Sequence, residues 1–109
     1  MRQKNVNPPE SPAAATAPIG RDALPRLDLL RSFEAAARLL SFTRAAEELA
    51  LTQSAVSRQI QQMEEGLGLP LFERRHRALA LTPAGQSLLR VVQDCLERLR
   101  DATASLRAA

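Results

Sequence analysis

The segment 41–67 constrains the fold most, because it contains two amphipathic helices in succession with almost no connection between them. The first carries a narrow apolar stripe with two adjacent alanines, which let another helix approach closely. Residues 50–52 then lead directly into a second helix, predicted for Gln53–Leu67. So short a link prevents a long antiparallel hairpin and predicts a helix-turn-helix, although Ala50 or Leu51 stands near the position of the usual turn glycine.

The second helix has a polar face that differs from an ordinary solvated surface. A solvated face usually carries Glu and Lys in i,i+4 pairs, whereas this one has short hydroxyls, amides and a single arginine. Such side chains suit a surface that lies against phosphates and base edges. Periodicity alone leaves a neutral solvent face equally open. The apolar stripe is Val56, Ile60, Met63 and Leu67, and within roughly a 100° arc on the opposite side lie Ser54, Ser57, Arg58 and Gln61.

Residues 27–40 show the spacing of a first core helix, and Ser41 or Thr43 can cap the helix that begins at Phe42. Thr52 is placed to cap the helix after that one. At about 1.5–3 kcal/mol per buried large side chain, the three-helix core is small against the chain entropy, so we expect further packing from downstream residues. The predicted core consists of Phe33, Leu40, Phe42, Leu49, Val56, Ile60 and Met63.

After a helix stop at Gly68, residues 71–81 predict a two-stranded ribbon, which Leu71 and Phe72 begin and on whose second arm Leu79 and Leu81 alternate. Its tip is basic and comprises Arg74, Arg75, His76 and Arg77. Beside a helix-turn-helix such a ribbon is a wing, whose arginines would face a flanking phosphate or the adjacent minor groove. A solvated basic loop is the alternative. His76 has no Cys or His neighbour at metal-ligand spacing, so we expect no metal site.

Thr82 and Pro83 begin a long final helix, predicted from Ala84 to about Ala104. An apolar seam of about three heptads is longer than the small core needs and would leave an apolar patch exposed to water on a monomer. We therefore predict dimerisation through this helix, whereas burial of the near half of the seam against the core is the alternative. Both can hold along different lengths. The seam comprises Gly85, Leu89, Val92, Leu96, Leu99, Thr103 and Leu106, with Cys95 packed at its flank.

Composition narrows the function classes. The chain has a pI of about 10.4 and net charge +3, and its basic residues are almost all arginine, which favours bidentate phosphate or guanine contacts. Tyr and Trp are absent, which argues against single-strand binding by base stacking. A single cysteine fits a reducing compartment, and no apolar run indicates export or membrane insertion. We find no nucleophile–base pair and no phosphate-binding glycine loop, so neither an enzyme nor a cofactor is expected.

The chain divides into three regions. Residues 1–25 hold five of the seven prolines, have no usable periodicity and are expected to form a flexible extension. Residues 26–82 are predicted to form a mainly α winged helix-turn-helix with a three-helix core and a short two-stranded wing. Residues 83–109 are predicted to form the linker and dimerisation helix.

From residue 27 to about 106, roughly three-quarters of its length, the chain resembles the DNA-binding domain and linker helix of the LysR-type transcriptional regulators. The resemblance is carried by LLRSFEAAARLLSFTRAAEELALTQSAVSRQIQQMEEGLGLPLFERR and by LALTPAGQSLL. The sequence of the first two helices is similar to sequences of the branch that includes glycine-cleavage and β-lactamase activators.

The resemblance implies a bacterial, cytoplasmic regulator that binds double-stranded DNA as a homodimer at an interrupted palindromic operator. It also implies a C-terminal effector domain, absent from these residues, and tetramers in a full-length protein. The chain would then be an isolated domain, a truncated product or a natural short relative. A protein-interaction module built around the final helix is the alternative from another class.

The resemblance also implies residue roles. The residues expected to contact bases are Gln53, Ser54, Ser57 and Arg58, and Gln61 lies on the same face. Wing contacts fall to Arg74 together with Arg75 or Arg77, and backbone contacts near helix ends fall to Ser41, Thr43 and Thr82.

Overall fold

The computed structural model describes residues 24–108, so nearly all of the predicted extension, residues 1–25, lies outside the described residues. The elements are α1 (Leu27–Leu39), α2 (Phe42–Leu49), α3 (Gln53–Leu67), β1 (Phe72–Arg75), β2 (Ala78–Leu81) and α4 (Pro83–Ala108). This order confirms the mainly helical fold with a two-stranded wing. The final helix continues beyond its predicted end near residue 104. Within residues 24–108, every helix is too short or too polar to cross a membrane.

Side-chain caps and one left-handed residue make the sharp turn between α2 and α3. The Ser41 hydroxyl accepts a hydrogen bond from the Arg44 amide at 3.0 Å, and the Thr52 hydroxyl accepts one from the Ala55 amide at 3.1 Å. Both caps agree with the sequence prediction. Ala50 adopts a left-handed backbone with φ of 58° and so occupies the position where glycine is usual.

The core joins the three helices to the wing. Phe33, Ile60 and Met63 have no exposed surface. The Phe72 ring meets the Phe33 and Phe42 rings edge to face, with centroid distances of 5.8 and 5.5 Å. The expected packing from downstream residues is confirmed, because Leu71, Phe72, Val92 and Leu96 are all buried.

Two residues of the predicted apolar set lie outside the core. Leu40 is 47% exposed and Leu67 is 40% exposed, so the expectation that they belong to the buried stripes was wrong. Both stand where a helix ends. Leu40 turns the chain out of α1 with a left-handed φ of 50°, and Leu67 is the last residue of α3 before Gly68 at φ 78°. At Leu40 the backbone has left the helix, so helical periodicity no longer sets the side-chain direction. Leu67 is still helical, but it lies in the last turn of α3, where no residue after Met63 is buried.

Helix α4 packs against the domain over its first half only. Val92 and Leu96 are buried, whereas every residue from 97 to 108 is exposed. At about 1.5 Å per residue, the 26 residues of α4 span roughly 39 Å. The second half of the helix therefore extends away from the domain without covering its core.

Candidate nucleic-acid interface

The buried side of α3 fixes which of its side chains face outward. Val56, Ile60 and Met63 are completely buried, so the opposite side of the helix must point away from the domain. That opposite side is the recognition face. It carries Ser54, Arg58 and Gln61, which are exposed, and Ser57, which is half-buried. We include Gln53 in this face because it is exposed at the first position of α3, although helical geometry places it nearer to Ile60.

Over residues 53–61 the recognition face is basic and carries no acidic side chain. Its only charged residue is Arg58, and among residues 24–108 the Arg58 guanidinium has no ion pair or hydrogen bond. The acids of α3 come later: Glu64 lies more than one turn beyond Arg58, and the exposed Glu65 lies on the same side as Arg58 but about two turns beyond it. The face can therefore approach a polyanion closely, with hydroxyls and amides available as donors and acceptors.

The first turn of α2 carries further polar groups. Thr43 is exposed, and Ser41 is half-buried and caps the helix. Arg44 is also exposed and lies in the first turn, where the helix dipole disfavours a cation unless an anion binds there. Sequence reasoning missed Arg44. The available signal was an arginine in a first helical turn that contains no acid.

The wing is an antiparallel hairpin in which Phe72 pairs with Leu81 and Arg75 pairs with Ala78. Only His76 and Arg77 form its tip, whereas Arg74 and Arg75 lie in β1 and not in the tip as predicted. No group of His, Cys, Asp and Glu in the described range 24–108 could hold a metal ion.

The three wing arginines have different surroundings. The Arg74 guanidinium lies 5.2 Å from the centroid of the Phe42 ring, in a cation–π contact. Arg75 forms an ion pair with Glu73 at 2.7 Å. Arg77 is exposed at the turn, with a φ of 62°. Of the three, Arg77 is the most available to a ligand.

Thr82 does not belong to this surface. It is 8% exposed, and its hydroxyl donates to the Pro70 carbonyl at 2.9 Å and accepts from the Gly85 amide at 3.0 Å. The side chain therefore caps α4 inside the fold. The expected contact of the Thr82 side chain with a DNA backbone has no support from its position, and the sequence did not reveal its bond to Pro70.

The predicted dimerisation seam is divided between two environments. Leu89 is half-buried, and Val92 and Leu96 are 3% and 6% exposed because they pack on the domain itself. In contrast, Leu99 and Leu106 are 51% and 76% exposed, and Thr103 is exposed as well. The near half of the seam therefore belongs to the core, as the alternative interpretation proposed.

A different apolar row is accessible on α4. A strict seven-residue repeat drifts by about 20° per heptad on a straight helix, so Leu99 and Leu106 shift from the direction of Val92 toward that of the exposed Val91. There they join exposed residues of the near half within roughly an 80° arc. We call this row the outer stripe, and it comprises Val91, Cys95, Leu99, Ala102 and Leu106. Next to its near end, Leu27, Leu30 and Leu88 extend it into an apolar groove.

Comparisons with known proteins agree with this geometry. Residues 27–86 match the family model described as bacterial regulatory helix-turn-helix protein, lysR family. The chain is 55% identical over 85 residues to the glycine cleavage system transcriptional activator of Escherichia coli strain K12, covering 78% of this chain and 28% of that protein. It is 56% identical over 73 residues to the HTH-type transcriptional activator AmpR of Pseudomonas aeruginosa, covering 67% of this chain and 25% of that protein. The chain thus spans about a quarter of the length of these relatives.

A solved structure shares the same architecture. The protein chain in the BenM_DBD/catB site 1 DNA complex superimposes with a TM-score of 0.72 at 35% identity, covering 76% of this chain and 92% of that chain. The matched chain was solved in complex with DNA. The family match covers all three core helices and the wing. The chain belongs to the lysR family of bacterial regulatory helix-turn-helix proteins.

Proposed function

We propose that this chain is the sequence-specific, double-stranded DNA-binding part of a transcriptional regulator. One observation carries the proposal: α3 buries one side completely, and over residues 53–61 its other side carries no acid but has Arg58, which has no ion pair within residues 24–108. The relatives named as transcriptional activators and the solved DNA complex support the same function. In this proposal α3 enters the major groove, where side-chain amides and arginine can distinguish base pairs.

The surrounding groups position α3 on the duplex. Thr43 and Arg44 contact phosphate at the first turn of α2, and the Ser41 hydroxyl lies at the same helix end. Arg77 reaches the flanking backbone or minor groove, with Arg74 and Arg75 behind it on β1. The bases are contacted by the recognition face, which is Gln53, Ser54, Ser57, Arg58 and Gln61.

The outer stripe of α4 forms a homodimer interface in this proposal. Val91, Leu99 and Leu106 would otherwise remain as an exposed apolar row on a helix that extends away from its domain. Two-fold symmetry would place two recognition helices on half-sites about one helical turn of DNA apart, so the operator is an interrupted palindrome. The longer regulators to which the chain is similar would add effector sensing and assembly into tetramers through their remaining residues. The protein would act in the bacterial cytoplasm, where the chromosome lies.

A second candidate function is favoured by the same outer stripe. An apolar row on a projecting helix also suits a module that only binds other proteins, with the three-helix unit as a scaffold. The two functions differ in what the recognition face does. DNA recognition requires Arg58, whereas assembly through α4 does not.

The experiment therefore removes one positive charge at two different places. A duplex is first selected from a random pool with the unmodified chain, and its affinity is then measured for Arg58→Ala and for Arg98→Ala. Arg98 is exposed on α4 and paired with Asp94 at 3.2 Å, so its loss removes the same charge away from the proposed interface. We expect Arg58→Ala to weaken binding by roughly 10- to 100-fold, which is the usual value of a bidentate base contact, and Arg98→Ala to change it little.

Two results would contradict the proposal. Equal losses from both substitutions would show that α3 attracts DNA only through net charge. Failure of the unmodified chain to enrich any sequence, while sedimentation shows dimers, would leave the protein-interaction module.

A further inference from the structure

The Glu64 side chain makes a contact that DNA binding by the recognition face does not explain. It lies in the last turns of α3, and one of its carboxylate oxygens accepts hydrogen bonds from two successive backbone amides. The Leu71 amide donates at 2.8 Å and the Phe72 amide donates at 3.2 Å. These two residues begin the wing, so the carboxylate joins the recognition helix to the root of the wing directly.

The same short segment is also held by Thr82, which caps α4, and by the first turn of α4. The Leu71 carbonyl accepts from the Thr82 amide at 3.0 Å, and the Pro70 carbonyl accepts from the Thr82 hydroxyl at 2.9 Å. Gly85 completes the contact, because a Cβ atom there would lie 2.2 Å from the Leu71 carbonyl oxygen. The segment 70–72 is therefore the joint at which α3, the wing and α4 meet.

The joint controls the direction of the wing because the anchored residues are close to its arginines. Phe72 and Arg74 lie on the same face of β1, two residues apart. The Phe72 ring packs against Phe42, and the Arg74 guanidinium lies over that same ring. A rotation of the strand at Leu71 would therefore move the whole hairpin, including Arg77 at its tip.

We propose that Glu64 is a positioning residue, which sets the angle between the wing and the recognition helix and so lets both contact the same duplex. This inference rests on the proposed DNA-binding function and assigns to Glu64 no contact with DNA. A charged acceptor is needed because hydrogen bonds to a carboxylate are roughly twice as strong as those to a neutral oxygen. Affinity for the selected duplex should then be highest for the unmodified chain, lower for Glu64→Gln and lowest for Glu64→Ala.

Glu65→Gln supplies the matched control. Glu65 is exposed on the neighbouring position of the same helix, and none of the hydrogen bonds or ion pairs found within residues 24–108 involves its side chain. Its substitution removes the same negative charge near the DNA without touching the joint. Any general gain in attraction to phosphate is therefore measured separately.

Double-substitution cycles then separate positioning from mere support of the fold. We expect Glu64→Gln to weaken binding about 3- to 10-fold relative to Glu65→Gln. The dependence of log affinity on log salt concentration should also become less steep, by the amount expected for about one lost phosphate contact. Combined with Arg77→Ala it should add almost nothing, because the wing contact is already lost. Combined with Arg58→Ala the two losses should multiply, because α3 and the wing then act independently.

A measurement without DNA keeps this proposal separable from the proposed function. Residual dipolar couplings report the orientation of the β1 and β2 amides relative to α3 in the free chain, and we expect them to change in Glu64→Gln and to stay constant in Glu65→Gln. If couplings, affinity and salt slope are all unchanged while only the melting temperature falls, Glu64 supports the fold and positions nothing. If the couplings change but no duplex is selected, Glu64 still orients the hairpin and the DNA-binding function fails instead.

Discussion

At the scale of single residues, the backbone holds unusual conformations at the two places where the proposed interface turns sharply. Within residues 24–108, three residues other than glycine have a positive φ, and two of them are Ala50 in the helix-turn-helix and Arg77 at the wing tip. A left-handed conformation costs an L-residue about 1–2 kcal/mol. At Arg77 the strained backbone places a cation at the wing tip, where it can contact DNA. Ala50 has only a methyl side chain, so its strain has no comparable function.

Substitution of these two residues by glycine should separate stability from binding. We expect Ala50→Gly and Arg77→Gly each to raise the free energy of unfolding by about 1 kcal/mol, since glycine adopts positive φ without steric cost. Only Arg77→Gly should weaken DNA binding, because it alone removes a cation from the surface. Urea unfolding and duplex titration measure the two effects. A destabilised Ala50→Gly would show that its backbone is unstrained, and full affinity in Arg77→Gly would place the wing tip away from DNA.

At the scale of elements, a buried carboxylate connects α1 to α4. Glu34 is 8% exposed and accepts from the Arg38 Nε at 2.9 Å and from the Gln93 Nε2 at 3.1 Å. Arg38 also pairs with Glu48 on α2. Burial alone would raise the pKa of Glu34, but the bonds from Arg38 and Gln93 and the charges of Arg38 and Arg100 outweigh it, so the pKa lies below its ordinary value.

The direction of this shift gives a stability prediction that depends on pH. A carboxyl whose pKa is lowered by folding stabilises the fold above its unfolded pKa, and that contribution is lost as pH falls through the folded pKa. At neutral pH we expect Glu34→Gln to lower the free energy of unfolding by about 1–3 kcal/mol. The difference from the unmodified chain should shrink as pH falls below 4.5, the ordinary value.

An exposed carboxyl provides the control for this titration. The side chain of Asp94 is 63% exposed in its pair with Arg98, so Asp94→Asn should have little effect at any pH. Chemical denaturation at several pH values measures all three chains. A constant difference between Glu34→Gln and the unmodified chain from neutral pH to below 4 would contradict the assigned shift.

The elements themselves could be predicted from the sequence, and their relations only in part. The period of Val56, Ile60 and Met63 defines α3 locally, and Thr52 marks its start. The burial of Val92 and the exposure of Val91 were not readable, because both are apolar and neighbouring faces of α4 differ only in what packs against them. The bonds from Glu64 to the wing and from Thr82 to Pro70 were hidden for a related reason: they join positions whose approach depends on the whole fold.

At the scale of the whole molecule, an apolar row continues from the domain onto the projecting half of α4. It begins in the groove beside Leu27 and Leu30 and follows the outer stripe to Leu106. A second copy packed along it would remove Val91 and Leu99, which are 59% and 51% exposed, from water. Dimerisation would then determine the distance between the two recognition helices, and with it the spacing of the half-sites.

Leu99→Gln tests this arrangement because Leu99 makes no contribution to the buried core of its own chain. In a symmetric dimer the substitution acts twice, and at about 1–2 kcal/mol per copy the dissociation constant should rise by roughly 30-fold or more. Ala104→Gln is the control, because Ala104 is exposed on the opposite side of α4 and its substitution should leave the dimer intact.

Sedimentation equilibrium measures assembly, and binding is compared for duplexes that carry one or two half-sites. We expect Leu99→Gln to lose affinity for the two-half-site duplex only, since each domain still recognises its own half. An unchanged dimer would exclude the outer stripe as the interface, and an equal loss on both duplexes would mean that α4 affects recognition within a single domain.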